Sequence, residues 1–501
     1  MMLRIIKMVI LLLILVPVQA QFQLSGRIEG LKDSVIRIQV PFVYDFFAQS
    51  GLEVPVGKDG RFNFRFPLDK EKLVRVMYDK ASVLVLARPG QSLVVGRANT
   101  GAGLKPTGGS LFKENKVLFE ADPLEYPVFL EIDPIRDSLA KFEPDIIYAR
   151  YIQPWIKHAQ EKATAIEKTT ISGRLKKLFI QEVRSAAYCK ASEFAMQGFM
   201  KRDQLAAFYK RLYGSVSPKS TVSNPGPMYY WFVDYYNGYL ESDAMNDLKA
   251  SGNKKTEPLK YYTVSLDSGT ALIKQKGKPY INWLAVKNTN SPDIAEAYLA
   301  QQVFTKYAEK DLKYASVLLK ELKNTYPDSR YHPPLKKNVG ELEVLLARNE
   351  HNKSIRIVDH YETITSVFPV IDSLKGKVVY LDIWGTWCGP CKQELKFTPQ
   401  LKQYFKGKEV AFVYLDMDDD EKDAAWKEFI KVNELTGIHL RKTREQMAPF
   451  WKELLENAAD KSEYYPQYFI FDKKGKLVVT KAERPSRKEV LYRQIESFLN
   501  Q

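Results

Sequence analysis

The chain has 501 residues, enough for about three domains of ordinary size, and 45% hydrophobic with 12% aromatic residues supply material for packed cores. With 26 Gly, 26 Pro and 27% charged residues, the composition excludes a collagen-like, low-complexity or disordered chain. The net charge of +15 raises a nucleic-acid reading, but residues 356–501 carry 24 basic against 23 acidic side chains and residues 21–355 carry 49 against 37, with no Lys/Arg stripe interleaved with aromatics. The excess reads as a solvated surface, and nucleic acid is not an expected partner.

In chain order, Arg4 and Lys7 precede an apolar run from Met8 to Val18, and Val18-Gln19-Ala20 offers small residues where a signal peptidase needs them. This predicts an export signal over residues 1–20, cleaved after Ala20; eleven apolar residues fall short of the roughly 18–20 that a spanning helix needs. No later segment is apolar enough to span. Residues 21–105 predict a small antiparallel β domain. Val35 to Val40 alternates, and Lys58-Asp59-Gly60 turns the chain into the alternating Arg61 to Phe66. The glycine-rich stretch from Thr100 to Ser110 lacks the Gly-Lys-Ser/Thr ending of a phosphate-binding loop and reads as a boundary.

Residues 106–355 predict a mostly α-helical region. Ser291-Pro292-Asp293 gives an N-cap with a first-turn proline, Asp311 opens a helix that must stop before Pro327, and Leu175 to Met200 is helical around Cys189. Cys189 among Ala186, Ala187 and Phe194 reads as a small buried hydrophobe, and Tyr229, Tyr230, Tyr235 and Tyr236 read as interhelical packing. Ala297 to Ser329 has the flavour of paired helices in a tetratricopeptide-like array, without a repeat period.

The chemistry lies in the last third. Val378 to Trp384 is a β-branched and aromatic run fit for a central strand, followed by Gly385-Thr386-Trp387-Cys388-Gly389-Pro390-Cys391-Lys392 and a helical pattern. Two cysteines two residues apart cannot staple distant elements, and the five histidines lack ligand spacing and a second Cys pair, so no metal or other cofactor is expected. At a strand-to-helix turn, backbone amides stabilise a thiolate at Cys388, and Cys391 one turn on can resolve a mixed disulfide. Asp382, an acid amid apolar neighbours, is a candidate proton acceptor for Cys391; its structural alternative is a hydrogen-bonded strand residue.

Asp382 through Lys392 resembles the thioredoxin active-site stretch, and with the export signal the region of about residues 356–501 resembles the TlpA-like envelope thiol-disulfide oxidoreductases. The resemblance implies a C-terminal thioredoxin-like α/β domain, and hence a multidomain α/β chain. It implies Cys388 and Cys391 as a redox-active disulfide, with Pro466 as a cis-proline facing them. Trp387 and Tyr465 would contact the substrate, with Tyr465 offering its backbone for β-like pairing. Leu415 to Asp418 and Trp426 fit the insertion that such members carry. The implied partners are disulfide-containing or thiol proteins of the periplasm and a membrane electron donor. Two departures stand out: Lys396 and not proline lies five residues after Cys391, with Pro399 beyond it, and Tyr465 is bulkier than is usual before the cis-proline. The β region of residues 21–105 resembles, more loosely, the N-terminal domain often fused to such oxidoreductases. Two other functions remain open, a thiol peroxidase, for which the Pro-x-x-x-Thr-x-x-Cys context is absent, and a non-enzymatic scaffold with a passive thioredoxin-like domain.

Overall fold

The computed structural model describes residues 21–499 apart from 32–33, 48–50, 99–102, 132–135 and 253; the predicted export signal and part of the glycine-rich boundary lie outside the described residues. The chain divides into two compact units, 1–301 and 302–501. Among the described residues no helix is long and apolar enough to cross a membrane.

The first unit opens with eight strands, β1 (Gln21–Ile28), β2 (Val35–Gln39), β3 (Gly51–Pro55), β4 (Arg61–Pro67), β5 (Lys72–Tyr78), β6 (Ala81–Ala87), β7 (Ser92–Arg97) and β8 (Lys105–Gly108). They form two four-stranded sheets, ordered β4-β1-β7-β8 and β3-β2-β5-β6. The alternation seen in the sequence places Phe22 and Leu24 of one sheet and Ile36, Ile38, Val74 and Val76 of the other in one buried cluster, so the sheets pack face to face. The ladders are antiparallel except β1 with β7, which run parallel because the chain leaves for the second sheet between them and returns by a long crossover. The Lys58-Asp59-Gly60 turn closes with the Gly60 amide on the Gly57 carbonyl, and Gly60 sits at φ +77°, where a Cβ would lie 2.6 Å from the Ile28 oxygen.

Leu84 and Leu86 of β6 face away from that core and pack on helices Phe112–Ala121, Gln153–Glu167 and Gly173–Ala195. The Asn115 side chain donates to the Leu86 carbonyl at 3.1 Å and accepts its amide at 2.8 Å, satisfying the free edge of β6. Helix Gly173–Ala195 starts at Ser172, whose hydroxyl accepts the Leu175 amide, and is buried around most of its circumference. Cys189 is buried within it. Tyr213, Phe232, Tyr236 and Tyr239 form a ring cluster between helices Arg202–Tyr213 and Pro227–Ala250, so Tyr236 is interhelical packing, whereas Tyr230 stacks on Tyr44, outside the helices, at 4.4 Å.

The second unit holds helices Leu312–Thr325 and His332–Asn349, which pack on helix Asp423–Val432, and a six-stranded sheet. Its strands are β9 (Ile355–Ile357), β10 (Val378–Trp384), β11 (Val410–Asp416), β12 (Gly437–Arg441), β13 (Gln467–Phe471) and β14 (Leu477–Thr480), in the order β14-β13-β10-β11-β12-β9. β10, β11, β12 and β9 run parallel, while β13 and β14 are antiparallel. Strand β10 is central and buried at every residue: Val379, Leu381 and Ile383 enter the core on one face, and Val378 and Tyr380 the core on the other. A strand covered on both faces must be a continuous apolar run, as this one is apart from Asp382. The sheet, with the central parallel β10 flanked by parallel β11 and antiparallel β13, is as expected for a thioredoxin-like domain.

Candidate active site

Three parallel strands end together, with Trp384 beside Asp416 and Asp416 beside Arg441, and β10 leaves that edge into Gly385-Thr386-Trp387-Cys388. Cys388 is the N-cap of helix Gly389–Leu395, with Pro390 in the first turn. The helix stops at Leu395, and Pro399 sits in the first turn of a second helix, Thr398–Tyr404, so the displaced proline breaks the segment into two short helices. Cys388 and Cys391 are joined as a disulfide with Cα atoms 5.2 Å apart, and the Cys391 amide donates to Cys388 Sγ at 3.1 Å. That amide would also stabilise a thiolate at Cys388 in the reduced protein.

The antiparallel ladder pairs Ile383 with Gln467, so Tyr465-Pro466, just before β13, lies beside the exit of β10. The Tyr465–Pro466 bond is cis. The Tyr465 ring meets Trp387 edge-on at 5.5 Å and Trp451 at 5.7 Å, and its hydroxyl reaches Met417 Sδ at 2.6 Å. Trp387 is 53% exposed although its Nε1 donates to the Met417 carbonyl at 2.8 Å, which leaves an exposed aromatic surface at the residue before Cys388. An indole so fixed presents its face to solvent without losing rotamer freedom on binding.

Asp382 faces the other core. It is buried, its Oδ1 has no hydrogen-bond partner among the described residues, and burial pushes its carboxyl well above the usual range, with Glu394 adding to the shift and Lys402 opposing it. Burial also lowers the Lys402 ammonium to about 7, against the pull of Asp382. Glu394, one turn beyond Cys391, is held by the Ser486 amide and hydroxyl, both at 2.9 Å. Asp382 is thus within electrostatic reach of Glu394 and Lys402, neither of which is prominent in the sequence. Glu394 could have been found from its spacing of three from Cys391; Lys402 could not, because its approach depends on the helix break at Pro399. Met417 and Asp418, expected only as part of the insertion after β11, brace the turn through the Met417 carbonyl and the Asp418 carboxylate, and Arg441, for which the sequence carried no signal, holds that loop from β12.

Comparison with known proteins agrees with this geometry. The Redoxin family matches residues 364–495. The chain is 32% identical over 98 residues to thioredoxin of Oryctolagus cuniculus, covering 17% of this chain and 91% of that protein. The chain belongs to the thioredoxin family through this domain. Within the family it is also similar to the thiol-disulfide oxidoreductase ResA of Bacillus cereus, 42% identical over 65 residues, or 13% of this chain. It spans only 36% of that relative's length. Among solved structures it is similar to the thioredoxin domain of a thiol-disulfide oxidoreductase from Bacteroides vulgatus, at 24% identity over 26% of this chain and 83% of that one, with a TM-score of 0.21.

Proposed function

We propose that this protein is an exported thiol-disulfide oxidoreductase that reduces disulfides of periplasmic proteins by dithiol exchange. The observation that carries the reading is the Cys388–Cys391 pair at a strand-to-helix turn, with the Cys391 amide on Cys388 Sγ and the exposed Trp387 beside it. In the reduced protein the Cys388 thiolate attacks one sulfur of a substrate disulfide. That S–S bond breaks, the other substrate sulfur leaves as a thiolate, and a mixed disulfide forms. Cys391 then loses its proton, with Asp382 the acceptor through water, and attacks Cys388 Sγ. The substrate departs as a dithiol and the protein is left in the disulfide form described above. Two electrons from a membrane donor must restore the dithiol before the next cycle. Trp387, Tyr465 and the cis Pro466 supply the docking surface, with the Tyr465 backbone pairing to an extended substrate segment. Export rests on the signal-like residues 1–20, with cleavage after Ala20.

Insulin reduction tests the activity. The wild type with a supplied reductant should precipitate insulin B chain, and Cys388→Ser should lower the rate to that of the reductant alone. A wild type no faster than reductant alone would leave a passive domain on a scaffold as the better reading.

A further inference from the structure

Three ionisable side chains, Asp416, Asp418 and Arg441, are each less than a tenth exposed at the end of β11 and β12, behind the Cys388 turn. Arg441 and Asp416 bond the loop after β11, and Asp418 bonds the turn itself. The Arg441 guanidinium donates to the Asp418 carbonyl at 2.7 Å, to Asp420 Oδ1 at 2.9 Å and to Asp423 Oδ1 at 3.3 Å, so one cation spans the whole loop after β11. Asp416 Oδ1 accepts the Asp418 amide at 3.1 Å. The loop then grips the turn at two points, the Asp418 carboxylate taking the Thr386 amide at 3.2 Å and the Met417 carbonyl taking the Trp387 indole at 2.8 Å. A further bond from the Met417 amide to the Trp384 carbonyl, at 2.9 Å, ties the loop to the end of β10.

We propose that Arg441, Asp416 and Asp418 form a buried bracket that fixes the Thr386–Trp387 turn, and that Asp418 is a positioning residue whose charge tempers thiolate formation at Cys388. The proposal rests on reading Cys388 as the nucleophile. The charged groups around Asp418 are Asp416 from β11, Arg441 from β12 and Lys422 from its own loop. Burial raises both carboxyls: Asp416, with Asp418 adding to the shift, well above its usual range, and Asp418 less far, because bonds with Thr386 and Asp416 and the charge of Lys422 oppose its burial. Of the two acids, Asp418 is therefore the more readily ionised, and its carboxylate sits on the amide of Thr386, two residues before Cys388. A fixed carboxylate there opposes a thiolate, and Arg441 offsets it, so removing either charge shifts Cys388 in opposite directions.

The test measures the pH dependence of Cys388 alkylation by iodoacetamide in the reduced full-length protein, resolved by mass mapping. Asp418→Asn keeps an oxygen for the Thr386 amide and removes the charge; its midpoint should fall by about half a unit to one unit, making Cys388 roughly three to ten times more reactive below the wild-type midpoint. Arg441→Gln should raise the midpoint by a similar amount. Arg441→Lys keeps the cation but not the fork; it should change Trp387 fluorescence and leave the midpoint within about 0.2 unit of the wild type. Lost folding in any variant is read by far-UV circular dichroism, and the remaining two still decide the sign. Midpoints of Asp418→Asn and Arg441→Gln that coincide with the wild type, or that move in the same direction, overturn the bracket while leaving the nucleophile intact. A wild-type Cys388 that alkylates no faster than an ordinary thiol overturns the nucleophile reading, and the bracket with it.

Discussion

Cys189 lies inside helix Gly173–Ala195, its Sγ donates to the Met228 carbonyl at 3.7 Å, and burial pushes its thiol well above the ordinary range. Cys388 is held at a helix start with an amide donated to its sulfur and an exposed indole next to it. The thiolate is the reactive species, so brief iodoacetamide treatment of reduced, folded protein near pH 7 should label Cys388 at least about tenfold faster than Cys189. Labelling of Cys189 first would remove the assignment. Both cysteines were legible in the sequence, Cys189 from its apolar helical neighbours and Cys388 from the strand-to-helix context of its motif. The bracket residues were not, because Asp416 and Arg441 become neighbours only through the register of β11 and β12, which no local pattern encodes.

Strand β10 was legible from its β-branched and aromatic run, and its burial on both faces follows from the sheet order. Truncating Leu381 to alanine should cost about 3 kcal/mol, read as a lower denaturant midpoint for the second unit, since a fully buried leucine leaves a cavity the neighbouring strands cannot close. Strand β12 contributes a less visible feature. His439 stacks on Tyr414 at 4.8 Å with its Nε2 facing the Leu435 carbonyl, and burial, reinforced by the Lys402 charge, lowers its imidazole to about 3. The unfolded chain then binds a proton near pH 6.5 that the folded chain refuses, so stability rises with pH between about 3 and 6.5. Urea unfolding should show about 1.4 kcal/mol lost per unit on acidification through that window from this group. His439→Phe keeps a ring against Tyr414 and should flatten the slope by that amount; an unchanged slope would show that His439 is protonated in the fold. Sequence spacing ruled His439 out as a ligand, but gave no signal for this burial.

At the scale of the whole molecule, the β strands and the helical pairs were legible from periods of two and of three to four residues, and the Gly60 turn from its dipeptide. The parallel β1–β7 pairing was not, because it joins segments separated by most of the β region. Nor was the attachment of helices Leu312–Thr325 and His332–Asn349 to the unit that carries the dithiol, since helix amphipathicity names a buried face but not its partner. Lys313 donates its amide to Glu428 at 3.0 Å and Lys431 pairs with Glu350 at 2.8 Å, so these helices brace helix Asp423–Val432. A fragment from Lys310 to Gln501 should therefore unfold cooperatively and keep the wild-type rate of insulin reduction per molecule. A fragment starting at Arg356 uncovers that helix and should melt at least about 5 °C lower. Equal melting temperatures would show that the helices contribute nothing to the redox unit.

Trapping the exchange intermediate tests the central claim, that Cys388 attacks and Cys391 resolves. Without Cys391 the mixed disulfide cannot be released, so Cys391→Ala purified from its native cells should run on non-reducing gels as higher-mass bands that collapse with dithiothreitol. Cys388→Ser should give none, and mass spectrometry of the second component would name the substrate. Bands that persist in Cys388→Ser and vanish only when Cys189 is replaced would contradict the account.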